Sequence, residues 1–564
     1  MSTPRLLRVL ALSLVAPALV TAAVALDSER SVYDPPWADV PPLRTIEHTY
    51  DPALGDVANG AALADVILAL EAGDRLLVGG GTYSIDRFFT VSLVGTAAAP
   101  IRIEAMPGAM PVLTRPNANQ NVLNVGTPSS GPTRYLLLRG FEITGGSIGI
   151  RIEDCEDLWI DECHIHHTGA VTVRASSQDT ARLTITDNEI AFASQLNDTG
   201  EGLYLGANFA EHITHGTVVA RNYVHDLFTD QGDGIELKQG SYGCWIAENV
   251  VHDTNFPGIT VYGTAGEERN LVERNVVWNT NENAMQVQGE AIVRNNVAFG
   301  RSKPAFVSFD HQDTALNIEI SHNTFVTTSG TALRVVSWDG RPGMRILNNA
   351  LYSQSSNAFF SSGSGLTGVE VAGNVAFGGV VDQGAGGFGA AAGLADFVDA
   401  SFDGAQRDVH PAGGSVLVGA ATAGASVTFD LAGATRAEAA SVGAYEPGTY
   451  GCYGGDPLAG LFGEPLVRAS ALPEAGGAPV DVTLENAGPG QTAVLFYSLV
   501  AGQDTAQQFS RRVLTTTDGA GRAKLTFGLP GDPALAGLAF QVIWAARDPM
   551  GPAFFVRTQT LVWE

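Results

Sequence analysis

Apolar and polar residues alternate with a period of two along most of the chain, and an asparagine returns between these runs. In the central segment the steps from one asparagine to the next are 27, 26 and 21 residues. The series comprises Asn188, Asn222, Asn249, Asn275, Asn296, Asn323, Asn349 and Asn374, with Cys163 in the same place upstream. Internal periods of this size are typical of a solenoid, in which each repeat stacks on the next.

The repeats favour strands over helices. None contains an apolar run with a period of 3.6 long enough for a helix, whereas pairs such as Ile235/Leu237 and Ile259/Val261 have the period of a strand. A leucine-rich repeat would place Leu-x-x-Leu-x-Leu before its asparagine, and these repeats do not. The sequence therefore predicts an all-β fold, a parallel β-helix.

The recurring asparagine has a physical role in such a fold. Successive coils lie one strand spacing apart, about 4.7–4.9 Å. Amide side chains stacked at that distance can hydrogen-bond along the column and satisfy the backbone of the turn. We therefore expect the asparagines to lie in line along the axis of the β-helix.

The rest of the sequence divides the chain into four predicted segments. Residues 1–25 combine two arginines, an apolar stretch and an Ala-x-Ala ending, the pattern of a cleaved secretory signal peptide. Residues 26–447 form the β-helix, beginning with a short amphipathic helix near Asn59–Glu71 that turns Val66, Leu68 and Leu70 inward. Residues 448–465 form a linker, and the strictly alternating residues 466–564 predict an antiparallel β-sandwich of accessory function.

The net charge of −27 argues against nucleic acid or an anionic membrane as partner, because both require a basic surface. No stretch after the signal peptide reaches the roughly 18 apolar residues of a membrane span. We therefore expect a secreted or cell-surface protein. In an exported chain Cys155 and Cys163 could pair, whereas Cys244 and Cys452 have no obvious partners.

The opening of the β-helix carries a resemblance. GDRLLVGGGTY (73–83) followed by GTAAAPIRIEAMPG (95–108) resembles the first segment of secreted right-handed parallel β-helix proteins, among them polysaccharide lyases of the alginate lyase and chondroitinase B kind. The segment 429–446 resembles their closing segment. The resemblance covers roughly residues 55–446 and implies a right-handed coil whose first helix caps it. Since one fold carries many functions, the activity has to be argued from the residues of the site.

The second strand of each coil predicts an outward-facing surface. Because alternate side chains point to opposite faces, the apolar residues of each Gly-apolar-x-apolar frame fill the core and the others point out. One outward column then comprises Tyr204, Glu236, Thr260 and Gln286, and a second comprises Lys238, Tyr262 and Gln288. Aromatic and polar groups at these places are suited to binding sugar rings, and aromatic residues are equally common as ordinary strand residues.

Glu201 and Asp233 occupy equivalent places in adjacent coils, and Asp230 lies just before the second. Two carboxylates one strand spacing apart repel each other, so they share a proton or bind a cation. Oxygen ligands alone favour Ca²⁺, which takes about 6–8 of them. The pattern predicts a calcium site at these three residues.

The family resemblance implies further roles. Lyases of the chondroitinase B and alginate kind cleave uronate polymers by β-elimination, with Ca²⁺ on the uronate carboxylate, a lysine as base and an arginine on the next coil. Lys238 resembles that lysine, and Glu201 and Asp233 resemble the calcium ligands. The arginine place holds Tyr262, which could act as the acid. An outward lysine beside acidic residues is also, more ordinarily, a solvated surface charge.

A column of histidines, namely His166, His225 and His252, continues into Trp278 and Phe299. Because aromatic residues continue the column, stacking is favoured over catalysis. His252, Tyr204, Glu236 and Gln286 are the candidate substrate-binding residues, and Lys238 and Tyr262 the candidate catalytic ones.

The sequence thus predicts a secreted β-helix protein that binds acidic polysaccharide and cleaves it by calcium-assisted β-elimination. The alternative is a glycan-binding or cell-surface adhesion protein without catalysis. The sequence leaves open the polysaccharide and the oligomeric state.

Overall fold

The structure is a computed structural model. It describes residues 32–194, 199–363, 365–405, 407–422, 427–431, 436–437 and 439–447, followed by the segments 452–454, 466–469, 480–485, 492–501, 511–518, 521–527, 538–547, 555–557 and 560–563. The predicted signal peptide, 1–25, lies outside the described residues.

Three ladders of parallel strands form the β-helix, and most coils contribute one strand to each. Ladder 1 comprises Arg44–His48, Asp74–Val78, Ile101–Ala105, Thr133–Arg139, Cys155–Asp161, Thr184–Thr186, Val218–Ala220, Trp245–Ala247, Asn270–Glu273, Ala291–Arg294, Ile318–Ser321, Arg345–Leu347 and Glu370–Ala372. Two short strands flank it, Thr180–Ala181 and Thr214–His215.

Ladder 2 follows the turn that carries the asparagines, and ladder 3 carries the Gly-apolar-x-apolar frames. Ladder 2 comprises Gly81–Ser84, Pro111–Arg115, Glu142–Gly145, His164–His166, Glu189–Ala191, Tyr223–Leu227, Val250–Thr254, Val276–Thr280, Val297–Gly300, Thr324–Thr327, Ala350–Ser362, Asn374–Val381 and Phe388–Ala390. Ladder 3 comprises Thr90–Val91, Leu123–Val125, Ile150–Ile152, Val173–Ala175, Leu203–Leu205, Ile235–Leu237, Ile259–Val261, Met285–Val287, Phe306–Ser308 and Leu333–Val336. The long strand Ala350–Ser362 pairs with both ladders and joins them.

One continuous apolar core runs along the axis. On ladder 1, Val219 pairs with Ile246 and Ile246 with Val272, and each is at most 1% exposed. A slip of one residue in the pairing would turn this whole column outward, so burial fixes the register of the coils. The sequence prediction of an all-β parallel β-helix is confirmed.

The asparagines lie in one unbroken column from Asn188 to Asn374, as predicted. The Asn222 amide Nδ2 donates to Oδ1 of Asn249 at 3.0 Å, and the Asn222 backbone N–H donates to the same oxygen at 3.0 Å. Asn249 Nδ2 also donates to the carbonyl of Val219 in the coil below, at 2.9 Å. Cys163 begins the column, since its N–H donates to Asn188 Oδ1 at 2.9 Å.

The helix spans Asp56–Leu68, so it begins three residues earlier than predicted. The predicted inward face is wrong in part, since Leu68 is 51% exposed and the helix buries Leu63 and Ile67 instead. Leu63 and Ile67 are four residues apart, the spacing of one helix face, whereas the predicted set had the spacing of a strand. Gly60 lets the helix approach the strand Gly81–Ser84, because a Cβ there would lie 2.2 Å from the Ser84 carbonyl oxygen.

The residues before the first strand run along the outer face of ladder 1. Trp37 is 2% exposed and packs against Trp159 with ring centroids 6.0 Å apart. Tyr33 packs against Trp245 at 4.7 Å, several coils further along. Residues 33–42, which we call the strap, therefore cover aromatic side chains that face outward from the coils.

The C-terminal segments form antiparallel sheets. One comprises Cys452–Gly454, Thr492–Ala501, Arg511–Thr516, Leu538–Arg547, Phe555–Arg557 and Thr560–Trp563, and the other comprises Leu466–Ala469, Val480–Glu485 and Ala523–Phe527. A further antiparallel pair, Phe397–Asp399 and Asp408–Pro411, and two 3₁₀ turns, Asn208–Ala210 and Leu394–Asp396, complete the elements in the described part of the chain. The sandwich packing and the domain boundaries stay predictions.

Cys155, Cys163 and Cys244 are buried free thiols, so the pairing considered for Cys155 and Cys163 is absent from the described residues. Burial raises the pKa of the Cys163 thiol to about 12, which keeps it protonated. In the described part of the chain, no helix has the length and apolar character that spanning a bilayer requires.

Candidate functional site

The predicted outward column exists on ladder 3. Tyr204 pairs with Glu236, Glu236 with Thr260 and Thr260 with Gln286. This register follows from the inward apolar residues on either side of each position, such as Ile235 and Leu237 around Glu236, which are at most 1% exposed. The six side chains Glu201, Tyr204, Asp233, Glu236, Lys238 and Tyr262 interact with one another there, and we call them the lysine site.

The ammonium of Lys238 is the centre of the lysine site. Its Nζ lies 2.5 Å from Glu236 Oε1, 4.6 Å from the centroid of the Tyr204 ring and 5.2 Å from that of the Tyr262 ring. Two aromatic faces at such distances attract a cation, and the attraction strengthens with desolvation. Burial lowers the pKa of Lys238, but Glu236, Tyr204 and Asp233 together outweigh burial, so the pKa is raised and the amine stays charged. The alternative that Lys238 is a solvated surface charge is wrong, since its side chain is buried and the residue is only 6% exposed.

The two flanking carboxyl groups favour their protonated forms. Burial, assisted by the charge of Glu236, raises the pKa of Glu201 to about 7. Burial and Glu236 also raise the pKa of Asp233, although the Thr260 hydroxyl donates to Asp233 Oδ1 at 2.8 Å. Glu201 is 2% exposed, and its Oε2 has no hydrogen-bond partner among the described residues. A carboxyl group that titrates near neutral pH is suited to accepting or donating a proton.

The structure does not bring the three predicted calcium ligands together in one group. Asp230 is exposed, whereas Glu201 and Asp233 are buried, and Glu236 is already paired with an ammonium. Over the residues that the structure describes, no three His, Cys, Asp or Glu side chains are grouped to hold a metal ion. Calcium needs about 6–8 oxygen ligands. The calcium site stays a prediction, and we derive no step through a metal.

Two arginines that sequence reasoning missed extend the column downward. Arg151 pairs with Arg174, and Arg174 with Tyr204. The Arg174 guanidinium lies 5.4 Å from the centroid of the Tyr204 ring and donates to Ser176 Oγ at 2.7 Å. The family resemblance placed the expected arginine on the coil after Lys238, where Tyr262 lies, and not on the earlier coils. Arg151 could have been found from the sequence, because Gly149-Ile-Arg-Ile has the same Gly-apolar-x-apolar frame as the later coils.

The second outward column continues to Gln288, which is fully buried with neither polar atom of its side chain partnered among the described residues. The segment 309–314 covers this column. The His311 ring lies 5.9 Å from that of Tyr262, and the Gln312 carbonyl accepts a hydrogen bond from Gln239 Nε2 at 3.0 Å. Gln312 Nε2 also donates to Asn208 Oδ1 at 3.3 Å. The segment 309–314 thus contacts Asn208, Gln239 and Tyr262, which belong to three successive coils around the lysine site.

Gln286 and His252 lie at the predicted outward places but outside the lysine site. Gln286 Oε1 accepts from Asn283 Nδ2 at 3.1 Å. His252 lies on ladder 2, with Nδ1 2.5 Å from Asp253 Oδ2 and Nε2 2.8 Å from the Tyr223 hydroxyl. The proposed binding residues therefore lie on two faces of the coil.

The histidine column is confirmed, with Ala191 between His166 and His225. His225 stacks on His252 at 5.5 Å and His252 on Trp278 at 4.3 Å, with rings inclined by 14° and 17°. Burial lowers the pKa of His225, but hydrogen bonds to Asp226 and Glu189 outweigh it and raise the pKa to about 9. The stacking role that the sequence favoured is the one observed.

Comparison with known proteins adds the following similarities. The pectate lyase Pel9A aligns with a TM-score of 0.43 and 15% identity over 72% of this chain and 97% of that one. The alginate lyase from Paenibacillus sp. str. FPU-7 aligns with 0.33 and 17% over 61% and 97%. The Dettilon tailspike protein gp208 aligns with 0.34 and 11% over 92% and 94%. No curated protein matches in sequence.

The family model described as "Right handed beta helix region" matches residues 129–287 and 212–351. These ranges contain the lysine site, the histidine column and most of the asparagine column. The match and the three parallel ladders together identify this part of the chain as a right-handed parallel β-helix.

Proposed function

We propose that this protein binds acidic polysaccharide along the outward column of ladder 3 and cleaves it by β-elimination at the lysine site. The observation that carries the proposal is the cation series Arg151, Arg174 and Lys238, interleaved with Tyr204 and Tyr262. Cations pair with sugar carboxylates, and aromatic faces stack on sugar rings. Arg151 pairs with Glu153 at 2.6 Å and Lys238 with Glu236, whereas no ion pair of Arg174 is found among the described residues. In a chain of net charge −27, Arg174 is therefore a local exception that favours an anionic polymer.

The chemistry follows from the charges. β-Elimination removes the proton next to a uronate carboxylate, forms a carbon–carbon double bond and breaks the adjacent glycosidic bond, whose oxygen leaves with the electron pair. The Arg174 guanidinium and the Lys238 ammonium would stabilise the negative charge that develops on the carboxylate. In this scheme Lys238 acts as a fixed cation, because its raised pKa keeps it protonated.

Proton transfer falls to its neighbours. Glu201, with a pKa of about 7, is ionised in a large fraction of molecules at neutral pH and would accept the proton. Burial and Glu236 raise the pKa of Tyr262, so its hydroxyl holds a proton that can pass to the leaving oxygen. The predicted roles of Lys238 as base and of calcium at the carboxylate remain alternatives within the same site.

Cover by the segment 309–314 supports a second candidate, binding without cleavage. Tyr262 is 5% exposed, whereas Arg151, Arg174 and Tyr204 are only partly buried. The accessible part of the column suffices to bind a polymer even if no sugar reaches Lys238. The protein would then be a glycan-binding or cell-surface adhesion protein without catalysis, the alternative that the sequence left open. Both functions require export, for which the predicted signal peptide is the route.

Incubation with alginate, pectate and glycosaminoglycans, followed by ultraviolet absorbance of the unsaturated product, tests the proposal. Product that disappears in Glu201→Gln and falls in Arg174→Ala supports cleavage at the lysine site. Arg345→Ala is the matched control, because Arg345 lies on ladder 1, outside the outward column of ladder 3. Binding without product supports the second candidate. If the protein neither binds these polymers nor releases product, both candidate functions are overturned. Loss of product on adding a chelator would support the predicted calcium.

A further inference from the structure

A second cationic cluster lies on ladder 1, away from the lysine site. Arg75, Arg102 and Arg139 point outward from three successive coils around Glu104. Together with strap residues 38–42 they enclose a cavity of about 270 Å³, which we call the arginine cavity. Its lining combines the guanidinium groups with the apolar surface of Val40, Pro41 and Pro42.

Carboxylates compensate two of the three guanidiniums. Arg75 Nε lies 2.5 Å from Glu104 Oε2, and Arg139 Nη1 lies 3.6 Å from Glu104 Oε1. Arg139 also pairs with Asp161 at 2.6 Å. Asp39 is the other carboxylate in the lining, and it is exposed.

Arg102 is the third guanidinium, and it is 8% exposed. Its Nη2 donates to the backbone carbonyls of Ala38 and Val40 at 2.7 and 2.6 Å. Its Nε has no partner, and no ion pair of Arg102 is found among the described residues. A buried cation that contacts only neutral groups is costly.

The charges around Arg102 also leave its positive charge poorly compensated. Burial lowers the pKa of Arg102, and the neighbouring charges of Arg139 and Arg75 lower it further, against the opposing charges of Glu104 and Asp39. An anion in the cavity would relieve this repulsion. Because Nη2 of Arg102 already donates to two carbonyls, such a ligand would accept from the remaining N–H groups of Arg102 and from Arg75 and Arg139 as charged hydrogen bonds.

We propose that the arginine cavity binds a small ligand carrying one oxyanion group, held by Arg102 with help from Arg75 and Arg139. A sugar carboxylate and a free phosphate or sulfate share this chemistry. The volume exceeds that of a single oxyanion, and Pro41 and Pro42 offer apolar contact, so a sugar acid fits the cavity more completely. The site lies on ladder 1, and it stands or falls independently of cleavage on ladder 3.

Isothermal titration calorimetry of the whole protein with galacturonate, phosphate, sulfate and neutral galactose tests this inference. Galacturonate should bind, and galactose should not. If phosphate and sulfate bind as tightly as galacturonate, the oxyanion alone is recognised; if they bind more weakly, the sugar acid is the ligand. Absence of binding by all three anions would overturn the proposal.

Variants locate the site. Arg102→Gln and Arg75→Gln should each weaken binding by about tenfold or more, the effect of losing one charged hydrogen bond. Arg294→Gln is the matched control, because Arg294 lies on ladder 1 and is paired with Glu273 at 2.6 Å outside the cavity. Thermal unfolding checks that each variant is folded, and Arg75→Gln decides alone if Arg102→Gln does not fold. Unchanged binding in the cavity variants would overturn the assignment.

Discussion

The Lys238 ammonium and the Glu236 carboxylate lie 2.5 Å apart, and both side chains are more than nine-tenths buried. Glu236 lies in the strand Ile235–Leu237, and Lys238 directly follows this strand. The ammonium lies between the rings of Tyr204 and Tyr262, which belong to the two neighbouring coils. A pair at this depth is stable only while both members are present, because either charge alone would be buried without compensation.

Replacing Lys238 with methionine should therefore destabilise the fold. We expect a loss of about 3–5 kcal/mol in the free energy of unfolding, the usual cost of leaving a buried charge unpaired. Urea unfolding measures it. The double variant Lys238→Met with Glu236→Gln removes both charges and should recover most of the loss. A double variant no more stable than the single one would show that the pair is not the source of the effect.

Chemical labelling tests the cover over the lysine site. The chain has only the lysines Lys238, Lys303 and Lys524, whose side chains are 7%, 48% and 62% exposed. An amine-reactive reagent should label Lys238 much more slowly than the other two, as peptide mass spectrometry would show.

Gln312→Ala removes the contact of the cover with Asn208 and should speed the labelling of Lys238. Gln383→Ala is the control, since Gln383 is another glutamine with a left-handed backbone, φ 54° against 62° for Gln312. Equal labelling in the two variants would contradict a covering role for the segment 309–314.

The asparagine column should be energetically important at every step. Asn249→Ala would remove the side-chain acceptor of the Asn222 N–H and the side-chain donor to the Val219 carbonyl. It would also remove one acceptor of Asn222 Nδ2, which keeps its bond to the Ile185 carbonyl at 2.8 Å. Each buried polar group left unsatisfied costs about 1–3 kcal/mol, so thermal and urea unfolding should show a large loss. Asn281→Ala should have little effect, because Asn281 is exposed and makes one side-chain bond to another turn residue.

The stability of the protein should fall between pH about 4.5 and pH about 7 through Glu201. Burial raises the pKa of this carboxyl in the folded state, so the folded protein holds the proton over a range in which the unfolded chain has lost it. Its contribution is complete below the lower pH and is lost as the pH rises through the higher one. Urea unfolding across this range should give a smaller pH dependence for Glu201→Gln than for the wild type. Equal slopes would show that Glu201 does not titrate there.

The fold could be predicted where the signal is local and repeated. The asparagine column and the inward Ile and Val residues each recur once per coil, so one correct coil predicts the rest. The helix face was missed because Val66, Leu68 and Leu70 were read at the spacing of a strand, whereas Leu63 and Ile67 face the core. The cleavable leader and the sandwich packing remain predictions.

The lysine site was predictable for a similar reason, since alternation along a strand determines which side chains share a face. Glu236, Lys238 and Tyr262 could be placed together from their frames alone. Asp230 could not, because a turn has no such periodicity and the structure leaves this residue exposed. The cover was also unpredictable, since Gln312 reaches Gln239 across 73 residues without a pattern that marks the contact.

The strap has a consequence for the order of assembly. Tyr33 rests on Trp245, and Arg274 donates a hydrogen bond to the Tyr33 hydroxyl from 241 residues away. The earliest described part of the chain thus cannot reach its final place until the coils bearing these partners exist. Contacts so distant along the chain form late, because the entropy of closing the intervening loop must first be overcome. The strap is therefore synthesised before the coils that bear its partners, yet it is among the last parts to reach its final place.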